Sequence, residues 1–279
     1  MSASGDGSKL PSSHDQLDFI TVVGIAALVY TGSVFLHEVI GHGGACLAVG
    51  GRILSIGAYY LDCDTKGLSE WASRVVAAAG NTANALLAFL AWFLMRRALP
   101  ERTNQFLFWW LLFTVNALAW SGYYLFSGVM NIGDWGSSRD GVLFGVGRLW
   151  AWRIGLSVIG AGLYVFNAWL AARSLGQCFG GTSRRIGLGF RWTITAYLTG
   201  AAISILTGLL NPLGFVIVLM SAAASSLGGT SGLLWLPSWM ERNSREPELK
   251  ITRNWTWISA GALVAILYAV FLGPTIRLH

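Results

Sequence analysis

Six long runs without a charged residue limit what this chain can fold into. They cover residues 19–36, 75–95, 103–133, 154–172, 192–240 and 254–276. About 20 apolar residues carry a helix across a bilayer, so each run is expected to span a membrane. The run 192–240 is too long for one crossing. Asn211-Pro212 interrupts it, because Pro clashes with the preceding helical turn, and 221–231 (SAAASSLGGTS) is small and flexible. It reads as two spans, or as one span plus a re-entrant segment. The expected fold is an all-α polytopic membrane protein of six or seven transmembrane helices, with possible short strands after helix 1, where GRILSIGAYYL is rich in β-branched and aromatic residues. Residues 18–279 form a single transmembrane domain. Residues 1–17 are polar and Gly/Ser-rich and read as a disordered tail.

Composition agrees. The 279 residues are 54% hydrophobic and 11% charged, against about 25% charged in soluble domains. The Trp residues, among them Trp110, Trp150, Trp192 and Trp239, are expected at membrane interfaces. The net charge of +6 does not indicate nucleic acid, since the Arg residues gather at the ends of the apolar runs. With seven spans, 12 Lys/Arg fall on the side of the N-terminus and 7 on the other. The positive-inside rule then puts the N-terminus in the cytosol; with six spans the counts are nearly equal. The first run has no small-residue cleavage site and continues into the motif below, so it reads as a span and not as a signal peptide. Cys46, Cys63 and Cys178 are too few and too scattered for a disulfide framework.

At the end of the first run stands His37-Glu38-Val39-Ile40-Gly41-His42. Ionisable groups inside a membrane helix are costly and mark function. In HExxH, two His four residues apart share one helix face and bind zinc, with the Glu as general base. Here one residue is added. At about 100° per residue, positions five apart differ by about 140° on a regular helix, so the two His cannot face one ion. A π-bulge near 39–41 restores the alignment, and Gly41 eases it. The same HExxGH spacing occurs in a family of soluble zinc dipeptidyl peptidases. A second geometry needs no bulge: Glu38, His42 and Cys46 lie i, i+4, i+8 on one face.

Two further features follow in order. Ala79-Gly80-Asn81-Thr82-Ala83-Asn84 puts two amides early in the second run, and Asn131-Ile132-Gly133-Asp134-Trp135-Gly136 closes the third. With alternating spans, all three features fall toward one membrane face.

Together they resemble the site-2 protease family of intramembrane zinc metalloproteases, over roughly residues 19–140. That family has HExxH, then a GPxxN-like motif, then an NPxDG-like motif. Gly80, Asn84, Asn131 and Asp134 match; Asn81, Ile132 and Trp135 depart from the pattern, as does the extra residue between His37 and His42. The resemblance implies a three-helix catalytic-type core within 19–140, with additional helices over 149–276. It implies one Zn2+ held by His37, His42 and Asp134, with Glu38 as catalytic base and Asn84 positioning the substrate backbone. Asn81, Asn131 and Cys46 are secondary candidates. It also implies a site facing the cytosol, opposite to the seven-span charge count.

The expected function is a zinc-dependent intramembrane endopeptidase acting on transmembrane protein substrates in the lipid bilayer. The alternatives are a non-proteolytic membrane scaffold that kept the fold, or a proton or metal transporter using the same ionisable cluster.

Overall fold

A computed structural model describes residues 16–98, 103–179, 183–212, 214–215, 218–240 and 250–278. The first rod is composite: helix α1 (Phe19–Phe35), a π-helical segment (Leu36–Gly43) and helix α2 (Gly44–Ala48) run on as 30 residues. Strands β2 (Arg52–Ile56) and β3 (Leu61–Asp64) follow as an antiparallel hairpin, in the stretch whose β-branched and aromatic residues favour strands. Helices α3 (Glu70–Arg97), α4 (Thr103–Met130), α5 (Leu149–Phe179), α6 (Ser183–Leu209) and α7 (Trp255–Leu272) complete the bundle.

Two small sheets mark the two ends of the bundle. At the near end, β1 (Gln16–Leu17) pairs in parallel with β4 (Lys250–Ile251). Of the expected disordered tail, residues 1–15 lie outside the described residues, and Gln16–Leu17 are this strand. Two caps sit beside it. The Thr21 N–H donates to Asp18 Oδ1 at 2.9 Å, satisfying an orphan donor of α1. Asn254 does the same for Thr256 and Trp257 at the start of α7. At the far end, β5 (Ile276–Arg277) joins the other edge of β2. Helices α1 and α7 approach closely at Gly24 and Gly261, where a side chain on either would strike the other's backbone.

Among the described residues, six helices are long and apolar enough to cross a membrane, consistent with a multi-pass membrane protein. Their outer faces support this. Only 28% of the most apolar window of α5 and 17% of that of α7 is buried, leaving Val158, Ile159, Leu263, Ile266 and Val270 exposed. In water, contiguous apolar surface on this scale is unfavourable; lipid would cover it without cost.

The long run 192–240 traverses the bundle twice. Helix α6 descends to the far end, where Asn211 Nδ2 donates to Thr275 Oγ1 at 3.1 Å. The chain returns as a π-helical segment (Val218–Gly229) and two 3-10 turns (Ser231–Leu234 and Leu236–Trp239). It reaches the near end, where Met240 packs against Gly189, across from Phe179. Irregular backbone at this depth requires internal partners, and two Tyr hydroxyls supply them. Tyr197 donates to Leu227 O at 3.1 Å and Tyr164 to Gly229 O at 3.0 Å, while Tyr30 bonds the Thr230 hydroxyl at 2.8 Å.

Two Trp expected at interfaces are core residues instead. Trp110 and Trp192 are fully buried, their ring centroids 6.4 Å apart. The Trp110 indole finds a partner in Ala171 O at 2.9 Å, which makes burial of its N–H tolerable.

Candidate metal centre

The extra residue between the two His is absorbed as the sequence required. Leu36–Gly43 is π-helical, and the Gly44 N–H at its end reaches the Val39 carbonyl, five residues back. Because π hydrogen bonds link i to i+5, His37 and His42 lie on one face. Their Nε2 atoms are 3.2 Å apart.

Asp134 completes the group from the loop after α4. His37 Nε2 is 3.4 Å from Asp134 Oδ2 and His42 Nε2 is 3.6 Å from Asp134 Oδ1. The two contacts run to different oxygens of Asp134; taking one ligand atom from each residue, all three lie within 4.8 Å of one another, near enough for one ion with metal bonds of about 2.0–2.1 Å to draw them together. Asp134 Oδ2 is buried and accepts no hydrogen bond, a costly condition that a cation relieves. His37, His42 and Asp134 could thus hold a metal ion.

Both imidazoles are oriented from behind. His42 Nδ1 lies 2.7 Å from Val76 O, which only accepts, so Nδ1 carries a proton and, in the neutral ring, Nε2 is the atom left with a lone pair. For His37 the same result comes through two amides. Asn116 Nδ2 donates to Leu112 O and to Ser33 Oγ, each at 2.8 Å. Its Oδ1 therefore accepts from Asn84 Nδ2, at 2.8 Å, and Asn84 Oδ1 faces His37 Nδ1. The Leu112 carbonyl thus sets the polarity of the whole chain and puts a proton on His37 Nδ1, so that in the neutral ring Nε2 is the atom free to bind. Such partners fix the tautomer and ring position of metal-binding His. Tyr123 stacks on the His37 ring with centroids 5.1 Å apart.

The supporting elements meet at two glycines. A side chain on Gly41 would strike the backbone of Gly80, and one on Gly80 would strike both imidazoles. The rod and α3 therefore cross with the His rings lying against Gly80. Asn81 is fully buried. In the amide orientation its neighbours require, it donates to Trp120 O at 3.2 Å and accepts from Trp135 Nε1 at 3.1 Å, holding the residue next to Asp134. Asn131 takes a left-handed backbone at φ 58°, which Asn tolerates, and folds the loop by bonding the Ser137 amide and hydroxyl at 3.2 and 2.8 Å. Arg153 caps the end of α4, reaching Gly128 O at 3.0 Å and Val129 O at 2.6 Å.

Glu38 is buried and lines the same far-end cavity as His42 and Asp134, of about 1020 Å3. Tyr59, Tyr123 and strand β3 form other parts of its wall. Two carboxylates and the His42 imidazole on one cavity wall, with the His37 ring 3.2 Å from His42 at Nε2, suit metal-assisted proton transfer to or from a bound molecule.

The alternative ligand set is overturned. Cys46 forms a disulfide with Cys63, so its sulfur offers no thiolate to a metal. The scattered cysteines form no framework, but two of them meet because the hairpin folds β3 back over α2. Asn84, expected to face a substrate, has its amide engaged by His37 and Asn116. The sequence reading missed Asn116; the signal was an amide in the middle of the apolar run 103–133. No protein-family model, curated protein or solved structure matches this chain.

Proposed function

We propose that this chain is a multi-pass membrane metalloendopeptidase that hydrolyses peptide bonds in membrane-embedded or membrane-adjacent protein segments. The observation that carries the reading is the convergence of His37, His42 and Asp134 on one point, with Glu38 on the wall of the same cavity. The order of the three motifs, which resembles that of site-2 proteases, supports it as well. One zinc ion is the proposed metal, because two imidazoles and a carboxylate are a ligand set found at catalytic zinc sites.

A bound zinc would supply Lewis acidity at the scissile carbonyl and a nucleophile at neutral pH. Glu38 takes a proton from the attacking water and delivers it to the leaving amine nitrogen. Asn84 and Asn116 keep His37 in the tautomer that can bind, and Val76 does so for His42. The cavity admits an unwound segment, whereas a regular helix would hide its peptide bonds. The apolar outer faces bring such segments to the site through the bilayer.

The test is Glu38→Gln in the full-length chain, with wild type as reference. The expected result is retained zinc with cleavage of a membrane-tethered reporter reduced at least about 100-fold, the usual weight of a general base. Undiminished cleavage would refute the role of Glu38. Absence of cleavage in a zinc-loaded wild type against a panel of membrane-tethered reporters would favour a non-proteolytic scaffold. Proton or metal flux in proteoliposomes abolished by the same change would favour transport.

A further inference from the structure

The side of the membrane that the metal centre serves can be read from two independent features, given the membrane reading above. The first is thiol chemistry. Cys46 in α2 and Cys63 in β3 are joined, and β3 lines the cavity that holds His42 and Asp134. The bond therefore lies at the far end of the bundle, beside the site. Disulfides form and persist in oxidising compartments and are rare where glutathione and thioredoxin keep thiols reduced.

The second is charge. The run 192–240 passes through the bundle twice, which selects the seven-crossing count of Lys/Arg. By sequence, 12 belong to the near end and 7 to the far end. The connections are short enough for the positive-inside rule to apply, so the near end is cytosolic. Beyond the membrane reading, thiol chemistry and charge rest on separate observations, and both put the far end outside the cytosol.

We propose that the metal centre opens on the non-cytosolic, oxidising face of its membrane and acts on polypeptide segments that emerge on that face. The Cys46–Cys63 bond forms there and fixes the β2–β3 hairpin beside the site. This is the reverse of the orientation implied by the resemblance to site-2 proteases.

Two reporters test it in cells making the full chain without its native cysteines. Ser138→Cys probes the exposed loop at the site, and Thr252→Cys the exposed near end. A membrane-impermeant maleimide should label Ser138→Cys in intact cells and Thr252→Cys only after permeabilisation. Any other pattern overturns the proposal. Because removing the disulfide could disturb folding, a second measurement keeps it in place. The Cys178→Ser chain, denatured with PEG-maleimide, should gain no adduct before reduction and two after it; two adducts before reduction overturn the proposal. Neither readout depends on cleavage. Reversed labelling with cleavage intact refutes the orientation alone, and correct labelling without zinc or cleavage refutes the peptidase alone.

Discussion

At the scale of single residues, the centre depends on atoms that never touch the proposed metal. The Leu112 carbonyl fixes the direction of Asn116, Asn116 that of Asn84, and Asn84 the proton of His37. Asn116→Leu removes the acceptor that holds Asn84. It should weaken zinc affinity by about 10–100-fold, the range for partners that orient metal-binding His. Competition with a chelating dye measures this; an unchanged affinity would show that Asn84 needs no support. Gly80→Ala should abolish zinc binding outright, because its methyl group occupies the space of both imidazoles. Part of this layer was legible. His37, His42 and Asp134 stood out as ionisable groups bounding apolar runs, while Asn116 looked like any polar residue joining helices. Its meaning depends on which neighbour it faces, and that is set by packing between α1, α3 and α4.

At the scale of elements, the π segment is the feature the sequence dictated most directly. Two His five residues apart can share an ion only if the helix widens, and Gly41 lies inside the widened turn, against Gly80. The hairpin was legible from its residue types. Its disulfide was not, because pairing of Cys46 with Cys63 depends on the register in which β3 returns. The start of α1 makes its own prediction. Partial burial pushes the Asp18 carboxyl up, but hydrogen bonds from Thr21 and the charge of Arg253 outweigh it and hold it below the usual range. A lowered folded value means that the cap's contribution is complete above the ordinary carboxylate range and is lost as pH falls through the lowered value. Asp18→Ala should cost about 1 kcal/mol at neutral pH and progressively less in acid, measured by unfolding in detergent across pH.

At the scale of the molecule, the length of the charge-free runs marks the membrane-crossing helices, because lipid imposes length and hydrophobicity on whatever crosses it. The irregular return through Val218–Trp239 is not legible in the sequence, which allows either a second span or a re-entrant segment there. Its small residues carry no periodic signal, and Tyr30, Tyr164 and Tyr197, which close its hydrogen bonds, come from distant helices. That passage decides the orientation, since the charge count turns on it. The rod, α3 and the loop after α4 then bring the three candidate ligands to one point at the far end. The most direct test is the metal content of purified full-length protein. Wild type and Cys46→Ser should each carry about one zinc ion per chain, as a three-ligand site predicts, while His37→Ala, His42→Ala and Asp134→Ala should lose it. Full zinc in His37→Ala or Asp134→Ala, or loss of zinc in folded Cys46→Ser, would contradict the assignment.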